Sequence, residues 1–150
     1  MELFQEFNTS LFIHILSTAL MTGVIWTIQL VHYPSFHFIN PSVYEKFQKF
    51  HMARISYLVM PLMIVELLTG FLLLFLTPSA TLSPNSYEIL MLNFILILLI
   101  WLSTFLLSVP CHAKLEKGYN LGAANKLVST NWIRTALWSV RLIVLYYWFL

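Results

Sequence analysis

The final stretch, Asn131–Leu150 (NWIRTALWSVRLIVLYYWFL), constrains this chain more than any other. It is apolar and has the ~20 residues a helix needs to cross a bilayer. It nevertheless contains Arg134 and Arg141. At ~100° per residue, Asn131, Arg134, Trp138, Arg141 and Leu145 fall along one helix face. Arg134 lies near the start and can snorkel to the interface. Arg141 lies about half-way across, where a charge costs roughly 2.5–3.5 kcal/mol and needs partners. A chain that keeps such a helix must supply those partners from other helices.

The rest of the sequence agrees with a membrane setting. It is 59% hydrophobic and 9% charged, with a mean hydropathy of +0.80. A soluble domain of this length needs far less apolar surface. The expected fold class is all-α, an integral membrane four-helix bundle forming one domain over residues 1–150. A net charge of +2 gives no reason to expect nucleic acid. The expected partner is the lipid bilayer, with a homo-oligomer or a larger membrane complex left open. The single cysteine, Cys111, excludes an internal disulfide and any multi-cysteine metal or cluster site. The first apolar segment exceeds a secretory signal core and lacks a basic start, so it reads as a retained helix.

Four spans are expected, at about 10–31, 55–77, 88–109 and 131–150. Tyr33-Pro34 should close the first, because proline disfavours helix in the residue before it. Pro61 should kink the second. The third should end before Pro110. Between the first two spans, Val43–Arg54 reads as a separate interfacial helix with Tyr44, Phe47 and Phe50 on one side, capped by Ser42 with Glu45 reciprocating. The loop at 77–87 is uncharged, and 110–130 reads as a polar loop. Lys46, Lys49 and Arg54 lie in the 34–54 connection, and Lys114, Lys117 and Lys126 in the 110–130 connection. With four spans these two connections share a side. The positive-inside rule makes that side cytoplasmic and puts both termini outside, in a bacterial cytoplasmic (inner) membrane.

Depth then pairs the charges. Glu66 lies roughly 18 Å and Arg141 roughly 15 Å from the basic side at 1.5 Å per residue. An ion pair there would lock the second span against the fourth, either as a structural device or as the floor of a ligand or proton site. His32, His51 and His112 end up at the basic side, where three imidazoles from separate helices could meet as metal ligands or as interfacial polar groups. His14 sits one turn inside the other end. It shares a face with His32 at five turns' distance, with Ser17, Thr18 and Gln29 along the way. It reads either as a buried hydrogen-bonded histidine or as a haem or metal ligand. Gly23, opposite, reads as a close-contact position. Asn93, Ser103, Thr104, Ser108, Thr135 and Ser139 read as interhelical hydrogen-bonding positions.

Several short motifs suggest a relative. His14-Ile15, Gly23 and Val31-His32-Tyr33 are similar to the first helix of the bacterial membrane protoporphyrinogen oxidase family, the haem-biosynthetic J-type. Phe50-x-Met52-x-Arg54, Met60-Pro61-x-Met63 and Gly70 resemble its second helix, and His112-Ala-Lys114 the end of its third. The resemblance spans roughly three helices. The last helix here (TNWIRT and two arginines) replaces that family's Asn-Glu-x-Pro start, and the small anthrone-oxygenase-like membrane proteins resemble it more loosely. What the resemblance implies is a four-helix membrane oxidoreductase binding b-type haem or a porphyrin. His14 would ligate the iron and Arg54 would meet a propionate. In a redox reading of the residues themselves, a haem would be held by His14 or by His32, His51 and His112, with Arg54, Arg134 or Arg141 balancing its propionates. The residues alone leave open a non-catalytic membrane subunit with a structural Glu66–Arg141 pair, and, more remotely, a proton-coupled transporter.

Overall fold

The computed structural model describes residues 2–78 and 82–149. The middle of the expected 77–87 loop and the last residue of the expected fourth span lie outside them. Among the described residues there are no strands. The long elements are α1 (Glu2–Thr27), α2 (Pro41–Phe71), α3 (Pro84–Ser103) and α5 (Leu121–Phe149), with the short α4 (Val109–Leu115) continuing α3. Three helices are long and apolar enough to cross a membrane: Gln5–Phe38, Pro41–Leu76 and Pro84–Leu115. The fourth, α5, is as long, but its two arginines and Asn131 lower its hydropathy.

Two prolines expected to end helices do not. A π-helical turn at Ile28–His32 precedes Pro34, and the chain stays helical through Tyr33–Ser35 and Phe36–Phe38. Another π-helical turn, at Thr104–Ser108, precedes Pro110, and the helix runs on to Leu115. In both cases the proline stands two residues after the widened turn. Widening removes the carbonyl that a proline ring would strike and leaves no N–H demand unmet. The first π turn also shifts the register by one residue, about 100°. His14 and His32 therefore do not share a face as a regular helix would require.

The remaining boundaries also move. Val43–Arg54 is not a separate helix; α2 runs unbroken for 31 residues, through Pro61. Its cap is Asn40, whose side chain accepts from the Ser42 amide, with Pro41 in the first turn. Ser42 donates its hydroxyl to the same Asn40 oxygen at 2.9 Å, and Glu45 pairs with Lys49 at 2.6 Å. Helix α3 starts at Pro84, capped by Ser83. The expected 110–130 loop is mostly helix: α5 starts at Leu121, where Asn120 Oδ1 accepts from the Ala123 amide at 2.8 Å. The turn between α4 and α5 passes through Gly118, whose φ of 129° suits glycine.

Packing closes a ring. Helix α1 contacts α2 and α5, and α3 contacts α2 and α5. Apolar and polar layers alternate along the bundle. Leu11, Leu73, Leu74 and Leu90 form the core at one end. Met21, Ile25, Met63, Ile100 and Trp138 form the middle. Ile28, Tyr33, Phe36, Tyr44, Cys111, Leu115 and Leu127 form the other end. Between them lie buried His14, Thr18, Glu66, Thr69, Asn93 and Arg141, and then buried Gln29, Ser108, Asn131 and Arg134. The outside is the reverse: Phe12, Leu16, Leu68, Phe75, Ile95, Leu102, Phe105 and Ile143 are all exposed. Lys46, Lys49, Arg54, Lys114 and Lys126 are exposed on helices that meet at the Tyr44–Leu115 end, and Lys117 is exposed in the turn after Leu115.

Candidate functional site

Two polar layers contain the candidate residues. In the first, Glu66 and Arg141 form an ion pair of 2.8 Å with 2% and 0% of their side chains exposed. The Trp138 indole donates to both Glu66 oxygens, at 3.2 and 3.1 Å. Arg141 spends its other donors on neutral acceptors: Nε on Asn93 Oδ1 at 3.3 Å and Nη2 on Thr18 Oγ1 at 3.1 Å. The second and fourth long helices are thus tied by a charge-assisted bond, with α1 and α3 tied in through Thr18 and Asn93.

His14 meets the other three long helices. Its Nε2 lies 3.0 Å from Asn93 Oδ1 and 3.4 Å from Arg141 Nη2. Its Nδ1 lies 2.7 Å from the Thr69 hydroxyl, which donates to the Val65 carbonyl at 2.6 Å. His14 is buried and both its ring nitrogens are engaged. Gly70 explains how α2 comes so near: a Cβ there would lie 2.8 Å from Ile97 Cδ1 and 3.4 Å from His14 Cε1. An iron at His14 would need one of these bonds broken and room that the packing does not leave. His14 does not fit a haem ligand.

The second layer gathers the histidines of the basic end. His32 Nε2 and His51 Nδ1 are 2.7 Å apart. The His51 and His112 rings stand with centroids 6.0 Å apart. His112 is held at both nitrogens, by Gln48 Nε2 at 2.9 Å and Tyr33 Oη at 3.1 Å. Arg134 is buried beside them, donating to Ser108 Oγ at 3.2 Å and Asn131 Oδ1 at 3.3 Å. Asn131 in turn donates to Gln29 Oε1 at 2.8 Å. The Arg134 guanidinium also lies 5.3 Å from the Trp138 ring centre, which links the two layers through a cation–π contact. Among the described residues no group of three His, Cys, Asp or Glu side chains is placed to hold a metal ion.

The remaining candidates separate. Arg54 is exposed and its guanidinium lies over the Phe50 ring at 5.5 Å. His37 is exposed and bonds the Tyr119 hydroxyl at 3.0 Å. Gly23 is no contact point, since a Cβ there would meet nothing within 4 Å. It lines an outward-facing groove of about 480 Å³ between α1 and α2, with Ala19, Leu20, Thr27, His32, His51 and Leu58 among its walls. Sequence reasoning missed Thr69, Gln48 and Tyr33 as members of the layers. A signal existed for two of them. Thr69 follows Glu66 by three residues, and Gln48 precedes His51 by three, so each shares a helix face with a charged or titratable neighbour.

Comparison of the chain with protein families, with curated proteins and with solved structures finds no match.

Proposed function

We propose that the chain is a non-catalytic subunit or interaction module of a bacterial cytoplasmic membrane, spanning the bilayer four times. The observation that supports this reading is the closed Glu66–Arg141–His14–Asn93 network. Among the described residues its polar atoms are used on one another except for Asn93 Nδ2, which is buried without a partner, and such an arrangement suits a device that fixes helix register better than a site that turns over a substrate. Exposed apolar side chains on the long helices, over a polar interior, suit a lipid surround. The fourth helix crosses because its two arginines are buried against partners, even though its hydropathy is low. The basic residues at one end support a cytoplasmic position for that end, with both termini outside.

The haem-binding redox reading is the second one, and the gathering of His32, His51 and His112 favours it. An absorption spectrum separates the two. Protein purified from haem-replete cells should show no Soret band, and His14→Ala should change stability without changing the spectrum. A Soret band that shifts on reduction, survives in His14→Ala and disappears in His32→Ala or His112→Ala would replace the first reading with the second.

A further inference from the structure

We propose that the α1–α2 groove binds a membrane-dissolved amphiphile whose head is an uncharged ring bearing carbonyl or hydroxyl groups, the chemistry of a quinone or quinol. The inference rests on the membrane placement proposed above and goes beyond the subunit reading.

The groove opens outward between exposed Leu20 and Leu58. Its volume of about 480 Å³ is within the usual range for small-molecule sites, roughly 300–1,000 Å³. Gly23 sets its depth: it has the smallest side of any lining residue, and nothing stands within 4 Å of where a Cβ would be. Most of the wall is Ala19, Leu20, Val24, Ile28, Ile55 and Leu58. The histidines are at one end, at the level where the helices leave the apolar belt. An occupant therefore needs a long apolar body and a polar head at one end.

The head has no charge to meet. The lining residues include no Lys, Arg, Asp or Glu, and Arg54, three residues after His51, has its guanidinium over the Phe50 ring. A phosphate head would be left without a counter-charge. What the end offers is the His32–His51 pair. One proton lies between His32 Nε2 and His51 Nδ1. If His32 donates, its Nδ1 is an acceptor; if His51 donates, His32 Nδ1 bears a proton and is a donor. Among the described residues His32 Nδ1 makes no hydrogen bond, and His51 Nε2 is buried with none. His51 is only 6% exposed, so this orphan is costly unless the pair is used. A pair that can switch between donor and acceptor suits a head that exists as hydroxyl and as carbonyl. A docked helix would bring apolar side chains to the His32 edge and leave its Nδ1 unpaired.

The test uses the full chain in phosphatidylcholine nanodiscs, titrated with a decyl-substituted benzoquinone. Saturable binding of one quinone per chain is expected. Gly23→Leu, whose Cβ would meet nothing within 4 Å and whose side chain would occupy the groove, should weaken binding at least tenfold with no fall in melting temperature. His32→Phe, which keeps the ring volume, should weaken it about as much. Wild-type binding in Gly23→Leu would overturn the groove as the site. Loss in Gly23→Leu with full binding in His32→Phe would overturn the head assignment and leave an acyl-chain slot. Equal competition by added phosphatidylcholine, or a dimer that Gly23→Leu dissociates, would overturn the choice of occupant. A chain that fails to enter nanodiscs refutes the membrane reading itself, an outcome distinct from a chain that enters and leaves the quinone unbound.

Discussion

Glu66→Gln removes one charge from the buried pair and leaves the Arg141 guanidinium, fully buried, without its counter-ion. Unit charges about 4 Å apart interact by about 4 kcal/mol at an effective dielectric of 20. Breaking a buried pair from one side costs about 3–5 kcal/mol by the same reasoning. Glutamine keeps the shape and can still accept from the Trp138 indole, so the loss is mainly electrostatic. At roughly 2–4 °C per kcal/mol for a chain of this size, the melting temperature should fall by about 6–20 °C. Arg141→Gln should behave similarly, because Glu66 is then the orphan. The double variant Glu66→Gln/Arg141→Gln should lose less than the sum of the two single losses, by a coupling of about 1–3 kcal/mol. The chain supplies its own reporter: Cys111 is its only cysteine and is buried. A dye that fluoresces on reacting with thiols therefore reads unfolding directly, far from the mutated layer. Additive losses in the double variant would refute the claim that the two charges act as a pair.

Further outcomes follow from the packing. Gly70→Ala places a methyl 2.8 Å from Ile97 Cδ1. It should cost about 1–3 kcal/mol, and Ile97→Val in the same chain should restore part of the loss in the same thiol assay. Asn131→Leu strips Gln29 Oε1 and Arg134 of a partner each. It should destabilise by about 1–3 kcal/mol, whereas Asn131→Asp, which supplies Arg134 with a counter-charge, should lose less. His14→Ala should be destabilising too, and His14→Gln should restore part of the loss by reaching Asn93 or Thr69.

What could be read from the sequence follows a physical line. The Glu66–Arg141 pair was legible because rise per residue sets depth, and two opposite charges at one depth in an apolar chain need each other. The meeting of His32, His51 and His112 was legible because all three lie at the same ends of their spans. The partners of His14 were not, since Thr69 and Asn93 come from other helices and contact depends on rotation about each axis. The π turns defeated the boundary reading for the same reason. Pro34 and Pro110 are strong stop signals locally, yet a widened turn upstream lets the helix pass, and nothing in the residues Ile28–His32 or Thr104–Ser108 announces it. Helix α5 was read ten residues short because its start, Leu121–Thr130, is polar on one side, while Ala123, Ala124 and Leu127 pack into the core.

The account depends most on α5 crossing the membrane with Arg141 inside it. Single cysteines at Tyr147 and at Lys117, both exposed and at opposite ends of the bundle, can be tested in intact cells with a membrane-impermeant thiol reagent. The account predicts labelling at Tyr147 in intact cells and at Lys117 only after lysis. Labelling of both positions from the same side would contradict it, because α5 would then lie on one side of the bilayer and its arginines would need no buried partners.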